Sequence, residues 1–420
     1  MTSTPGTRSQ HADSATSPPA SEERFELAPG FRAAATACGL RAGGGLDLAL
    51  VWTERPVAAA GVFTTNRVKA APVLLDQEVL GRNAGGIRAV IANAGCANAC
   101  TGPRGMADAR RTAELVSQTI GCSADQVLVL STGVIGRPLD MDKVTRGIAA
   151  LKAPGAEQGG EAAARAILTT DTRVKTERAD LAIGNARYAI RGFAKGAGMI
   201  HPGMATMLSV ITTDAALPPA TLQEALRSAV ARSFNRVSVD GDMSTNDTVL
   251  LLASGEATAP LEGESVVAFT AALTGVCASL ARQIARDGEG ATRLVEITVT
   301  GARDEAEAHT VADSIARSPL VKTAIHGGDP NWGRVLAAAG YSGAAIDPEK
   351  LTLAFGAPDE RVTVVRGGLP VPYDERTASA RLKVDPVCVR LDLGLGPAET
   401  TVWTCDFSAE YVAINAHYTT

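Results

Sequence analysis

Apolar and polar positions along the chain mark out a mixed succession of strands and helices. Leu46–Trp52 and Val57–Phe63 are apolar stretches around Thr53-Glu54-Arg55-Pro56, and they predict a β-hairpin. Ile87–Ala92 predicts a further strand. Met106, Ala109, Ala113, Val116 and Ile120 then recur at spacings of three and four, the signature of an amphipathic helix. Gln126–Leu130 predicts a strand that runs into Ser131-Thr132-Gly133-Val134-Ile135-Gly136, and Ala162–Leu168 a short helix. Leu181–Ile183 and Tyr188–Ile190 face each other across Gly184-Asn185 as a tight hairpin. Leu222, Leu226, Val230 and Phe234 share a helix face. A longer helix follows Ser265, with Phe269, Leu273, Val276, Leu280 and Ile284 on one side. Val295, Ile297 and Val299 alternate with Glu296, Thr298 and Thr300, as in a half-buried strand. Strands near Leu351–Phe355, Val362–Val365, Val387–Leu393 and Thr401–Cys405 complete the pattern.

This order makes the chain α/β (α+β). It divides into a Ser/Thr/Pro-rich disordered tail over 1–24, a main domain over 25–299, a second, smaller α/β domain over 300–395, and a C-terminal segment over 396–420.

One stretch breaks the periodicity. Lys195-Gly196-Ala197-Gly198-Met199-Ile200-His201-Pro202-Gly203 holds three glycines and a proline, which exclude a regular helix or a central strand. From Met204 the chain turns apolar and β-favouring, with Thr206 near the join. A hydroxyl there is placed to attack the carbonyl of Ala205, a residue that hinders the attack little. Cleavage would leave a carboxylate on Ala205 and a new N-terminal Thr206. Such a residue carries nucleophile and general base together, because an α-amine has a pKa of roughly 7.7–8.0. On spacing alone the plainer reading of Thr206 is an ordinary strand residue. Ser131-Thr132-Gly133 is likewise either a plain strand-to-helix turn or a set of donors facing a ligand.

Composition narrows the classes. Of 420 residues, 45% are hydrophobic and 20% charged, in the range of ordinary globular proteins. A net charge of −5 and 4% aromatics give neither a basic footprint nor stacking platforms, so neither nucleic acid nor an anionic membrane surface is an expected partner. Apolar runs such as Val249–Ala253 fall far below the roughly 20 residues that span a bilayer, and no secretory signal is legible at the start. The expected location is cytoplasmic. Seven cysteines include Cys96 and Cys100, a Cys-x-x-x-Cys pair with no second Cys/His pair at zinc spacing. The expectation is buried, reduced thiols and no metal site. Asp240, Asp242 and Asp247 crowd one stretch, but the glycine and glutamate of a calcium loop are misplaced, and a hydrogen-bonded loop is expected.

The run Lys195–Leu208 resembles the signature of the bifunctional ornithine acetyltransferase/N-acetylglutamate synthase family. Ser131–Gly136, Thr169-Thr170-Asp171-Thr172, the acidic stretch Val237–Thr248, Asp287–Thr292 and the ending Asn415–Thr420 resemble further family segments in the family order. The resemblance runs from about Arg24 to the end. It implies a layered αββα sandwich like that of self-processing aminopeptidases, self-cleavage between Ala205 and Thr206, and Thr206 as acyl carrier. It implies oxyanion stabilisation by the Thr132 hydroxyl and the Gly133 N–H, and substrate contacts from Thr172, Lys195, Thr206, Glu289, Asn415 and Thr420. The implied reaction passes acetyl from N-acetylornithine to glutamate with no bound cofactor. Acetyl-CoA is a possible co-substrate, and the α and β chains made by cleavage are expected in a heterotetramer. Gly203 departs from the signature, where a polar side chain, most often asparagine, is expected; glycine removes its hydrogen bond and loosens the loop. Two other readings fit the same residues: an N-terminal-nucleophile aminopeptidase or amidohydrolase, and a non-catalytic binding protein that stays uncleaved.

Overall fold

The computed structural model describes residues 24–201, 207–257 and 259–417. Ala205 and Thr206, the expected cleavage pair, lie outside the described residues, as do Gly203 and Thr420.

Nine strands among the described residues build the first sheet: β1 (Arg32–Thr36), β2 (Leu48–Phe63), β3 (Ile87–Cys96), β4 (Val127–Val134), β5 (Glu157–Gln158), β6 (Lys175–Ile183), β7 (Ala186–Lys195), β8 (Leu208–Thr213) and β9 (Thr248–Ala253). Their order is β4-β3-β2-β9-β8-β7-β6, with β1 beside β2 and β5 beside β1. The expected hairpin over Leu46–Phe63 is instead one sixteen-residue strand. Its first half pairs with β1 and β3 and its second half with β9, across a register shift between Trp52 and Val57. There the Thr53 hydroxyl donates to the Arg55 carbonyl and accepts the Arg55 N–H. Pro56 reads as a turn in the sequence, yet a bulge is one of the few strand sites that tolerates a residue without an N–H. The irregularity lets β2 serve two layers.

Two layers explain why the central strands are apolar throughout. On β9, Leu250 and Leu252 join the core shared with β1–β4, where Phe193, Leu208 and Val210 also lie. Val249, Leu251 and Ala253 point the other way, into the core beneath two helices, α5 (Pro219–Ala231) and α6 (Glu264–Arg286). A strand covered on both faces has no polar side to show. Four helices, α1 (Ala71–Asn83), α2 (Gly102–Ile120), α3 (Met141–Ala150) and α4 (Gly160–Ala166), complete the first half. The helices α1 and α2 pack on β4, so the arrangement is a layered αββα sandwich. By length and composition α6 could cross a bilayer. Its Phe269, Leu273, Val276, Leu280 and Ile284 are instead buried in the core it forms with α5, β7 and β9.

The second sheet holds β10 (Leu294–Ala302), β11 (Thr352–Phe355), β12 (Val362–Arg366), β13 (Leu369–Pro370), β14 (Val387–Asp392) and β15 (Ala398–Cys405), in the order β13-β12-β11-β14-β10-β15. It therefore extends beyond both ends of the 300–395 unit expected from sequence. Its first strand, β10, begins before residue 300 and its last, β15, ends after residue 395. Helices α7 (Glu305–Arg317), α8 (Pro319–Gly327), α9 (Trp332–Gly340) and α10 (Glu375–Arg381) accompany it, and α11 (Ala409–His417) leads back to the first unit. A bridge between Val237 and Trp403 and the ion pair Arg286–Asp385 join the two units.

The outer edge of β4 is closed by a side chain. The Val129 N–H donates to Asp76 Oδ1 on α1 at 2.7 Å, and Asp76 is fully buried. Burial pushes its carboxyl well above the usual carboxylate range. Asp76→Ala strands a buried N–H, and a loss of about 1–3 kcal/mol is expected in denaturant unfolding. A carboxyl raised in the folded state gives stability that is complete below the unfolded pKa, roughly 3.9, and is lost as pH rises towards the folded value. Asp76→Asn keeps the acceptor and does not titrate, so its stability relative to wild type should improve with rising pH.

Candidate active site

The ends of β4 and β7, the loop before β9, the turn after α6 and the helix α11 converge on one cleft of about 170 Å³. Thr132, Gly133, Lys195, Glu289 and Asn415 all line it, although they are scattered over the chain. Thr169, Thr170 and Asn246 line it as well.

Thr132 and Gly133 lie within β4, which runs on to Val134 where the sequence suggested a turn. The ladder to β3 is irregular opposite Gly95 and Cys96. Gly133 has φ +129°, and a Cβ there would stand 2.4 Å from the Gly95 carbonyl carbon. Only glycine fits so close to a neighbouring backbone. Lys195 is the last residue of β7, and its Nζ donates to Thr132 Oγ1 at 3.3 Å.

Lys195 belongs to a buried chain of charges. Asp171 Oδ2 is 3.9 Å from Lys195 Nζ, and Asp171 Oδ1 accepts from Lys175 Nζ at 2.7 Å and from the Gly196 N–H at 2.6 Å. Lys175 also pairs with Asp287 at 2.5 Å. The four side chains are between 0% and 5% exposed. Burial alone would raise the Asp171 carboxyl, but Lys195, Lys175 and the Gly196 N–H outweigh it and hold it at about 2. Burial pushes the Lys195 ammonium down from its ordinary value; Lys175 adds to this, while Asp171, Asp247 and Glu289 oppose it.

Thr172 is not among the cleft-lining residues. Its hydroxyl donates to Asp287 Oδ1 and its N–H to Asp287 Oδ2, so it braces the charge chain, and Thr169 and Thr170 of the same segment line the cleft. Glu289 is held by its N–H on the Ala197 carbonyl at 2.8 Å and takes Asn415 Nδ2 at 2.9 Å. Its carboxylate lies over Gly198, where a Cβ would meet it at 2.5 Å. Met199 has the left-handed φ of +57°, and Asp240 accepts its N–H and that of Ile200. The acidic stretch thus holds backbone amides. Among the described residues no group of three or more His, Cys, Asp or Glu is gathered as for a metal. Cys96 is buried, but Cys100 is exposed, against the expectation for both.

Sequence reasoning passed over Lys175, Asp171 and Asp287. The signal was present: Asp171 and Lys175 stand four apart beside a recognised motif, and both are charged residues in a segment leading into a strand. The arrangement offers a hydroxyl and a glycine on one strand, an ammonium beside them and a carboxylate across the cleft. An amino acid's α-carboxylate and ammonium are complementary to that pair of charges.

A family model described as the ArgJ family matches residues 32–420. The chain is similar to the arginine biosynthesis bifunctional protein ArgJ of Parasynechococcus marenigrum strain WH8102, 47% identical over 391 residues that cover 93% of this chain and 94% of the relative. A crystal structure of the arginine biosynthesis bifunctional protein argJ from Bacillus halodurans is 44% identical, covers 49% of this chain and 97% of that one, and has a TM-score of 0.47. The ornithine acetyltransferase of Mycobacterium tuberculosis complexed with ornithine is 42% identical, covers 43% of this chain and 94% of that one, and has a TM-score of 0.37.

Removing Asp171 takes the nearest carboxylate from the buried Lys195 ammonium and leaves Lys175 with Asp287 alone. Asp171→Asn should cost about 3–5 kcal/mol at neutral pH. A carboxyl depressed in the folded state gives stability that is present above its unfolded pKa, roughly 3.9, and is lost as pH falls through the folded value near 2. The gap between wild type and Asp171→Asn in denaturant unfolding should therefore narrow on acidification across that window.

Proposed function

The chain belongs to the ArgJ family, and from that premise we propose that it is a glutamate N-acetyltransferase of arginine biosynthesis that works through an acetyl-threonine. The observation that carries the reading is the gathering of Thr132, Gly133, Lys195, Glu289 and Asn415 in one cleft, in a chain that carries the family's Ala-Thr junction at Ala205-Thr206.

In this reading the Thr206 hydroxyl first attacks the Ala205 carbonyl. The Ala205–Thr206 C–N bond breaks as the acyl group shifts to the hydroxyl, which frees the Thr206 amine, and water then hydrolyses the resulting ester to a carboxylate on Ala205 and the restored Thr206 hydroxyl. The matured Thr206 Oγ then attacks the acetyl carbon of N-acetylornithine, and its own α-amine takes the hydroxyl proton. Negative charge on the former carbonyl oxygen is met by the Thr132 hydroxyl and the Gly133 N–H. Collapse breaks the C–N bond, the proton passes to the departing amine, and ornithine leaves. The glutamate amine attacks the acetyl ester and gives its proton to the Thr206 amine; N-acetylglutamate departs and the hydroxyl is restored. Lys195 and Glu289 hold the charged ends of the amino acids, with Asn415, Thr172 and Thr420 in support; Thr172 acts through Asp287. No bound cofactor takes part. Acetyl-CoA serves as a second acetyl donor, the two chains assemble as a heterotetramer, and the enzyme is cytoplasmic.

Intact mass under denaturing conditions tests the maturation. Two species, 1–205 and 206–420, are expected, and a single chain of 43.1 kDa would contradict the reading. Thr206→Ala should neither cleave nor transfer acetyl. In processed enzyme Thr132→Ala should lower kcat by about 10²–10³-fold and leave KM nearly unchanged; steady-state assays with N-acetylornithine and glutamate measure both.

A further inference from the structure

We propose that Asn246 and Asp247 form a positioning pair that fixes the distance between the oxyanion strand β4 and the start of β8. The inference rests on the reading of Thr206 as nucleophile, because Met207 is the residue that follows it.

The two neighbours reach in different directions. Asn246 Nδ2 donates to the Ser131 carbonyl at 2.8 Å and to the Ala97 carbonyl at 2.7 Å. Ser131 immediately precedes Thr132. Asn246 Oδ1 accepts from the Thr245 hydroxyl, so the whole amide is engaged. Asp247 Oδ1 accepts the Met207 N–H at 3.0 Å, and the Met207 carbonyl accepts the Thr248 N–H at 3.1 Å. Met207 is thus held on both sides by consecutive residues of one loop. The bond that Asp247 grips at its nitrogen is the peptide joining Thr206 to Met207. The loop is itself fixed: the Thr64 N–H donates to the Asp247 carbonyl, and the Thr64 hydroxyl to the Ser244 carbonyl, both at 2.9 Å.

The choice of a carboxyl is expensive. Asp247 has no exposed surface, and its Oδ2 has no hydrogen-bond partner among the described residues. Burial pushes the carboxyl well above the usual range, against the Met207 N–H and Lys195, and the oxygen that accepts the Met207 N–H is one that an asparagine would match in shape. Such a group in the interior marks a place where the backbone must be held and not merely filled. An error of about 1 Å between nucleophile and oxyanion donors is enough to cost roughly 10²-fold in rate. This pair is the direct link between the strand that carries the donors and the residue after the nucleophile.

The test uses the full chain with N-acetylornithine and glutamate, and reads intact mass, thermal stability, kcat and KM. Asp247→Ala should keep KM within about threefold and lower kcat by roughly 10²-fold. Asp247→Asn, which keeps the acceptor, should recover most of that loss. Asn246→Ala should show the same split, with kcat down and KM held. Where Asp247→Ala does not fold, Asp247→Glu, longer by one methylene, should fold and lose kcat. Wild-type kcat in Asp247→Ala, Asp247→Glu or Asn246→Ala overturns the proposal, as does an equal loss in Asp247→Asn and Asp247→Ala. Thr206→Ala is the control: if it transfers acetyl at the wild-type rate, the nucleophile reading fails; if it is inactive while Asp247→Ala is fully active, only the positioning pair fails.

Discussion

The buried carboxylate of Asp171 is the constraint around which the cleft is arranged. Two ammoniums and one backbone N–H converge on it, in a place where none of the charges reaches water. Lys195 would be difficult to keep in so buried a position without it, since desolvation penalises the ammonium and the opposing carboxylates offset that penalty. Lys195 in turn aims at the Thr132 hydroxyl. The position of the Thr132 hydroxyl is therefore tied, through two contacts, to a segment that precedes β6. Lys175 carries the same chain to Asp287 at the end of α6, and Asp287 takes the Thr172 hydroxyl and N–H. The chain of contacts thus adds side-chain links between β4, β7, the 169–175 segment and the end of α6, beside the backbone ladders that run from β4 to β6.

The sandwich makes such a chain possible. Strands β8 and β9 are parallel and buried on both faces, and β7 runs beside β8. Lys195 closes β7 opposite Leu208, at the start of β8. Strand β4 reaches the same region from the other layer, and β2 joins the layers by pairing with β3 in its first half and β9 in its second. The bulge at Thr53–Pro56 therefore has a consequence for the site. A strand without it would belong to one layer only, and the strand that carries Thr132 and the strand that carries Lys195 would lose their common frame.

Much of this was legible in the residues. Three- and four-residue spacing located α2, α5 and α6 because their apolar faces are packed. Gly184-Asn185 located the β6–β7 hairpin because a two-residue turn demands such residues. The long motifs located five lining residues through resemblance. What failed to show was three-dimensional. Pro56 signals a turn locally, and only the second sheet layer makes a bent strand the better outcome. The motif Thr169-Thr170-Asp171-Thr172 contains three hydroxyls, and nothing in the order says which of them meets Asp287, a residue more than a hundred positions away. Most of the charge chain was harder to see: Asp171 and Lys175 stand four apart, but Asp287 and Lys195 join them from farther along the chain, and a buried lysine looks like any other in sequence.

The cleft is not uniform in stiffness. Thr132 and Lys195 sit on strands whose side chains are buried, and Gly133 is packed so closely on Gly95 that no side chain is tolerated. Asn415 comes from α11, a helix with no buried residue. Its attachments near the cleft are few: the Phe407–Tyr411 ring contact at 4.5 Å, the close approach of Gly290 to the Tyr411 backbone, and the Asn415–Glu289 hydrogen bond. Sparse apolar burial places an element at the low end of local stability. The division fits the proposed reaction. In that reading, charge that develops during acyl transfer meets donors already in place, since reorganising them would add to the barrier, while binding and releasing two amino acids in turn asks for a wall that can yield. Thr132 and Gly133, the proposed oxyanion donors, belong to the buried sandwich, and the asparagine that meets Glu289 belongs to a lightly held helix.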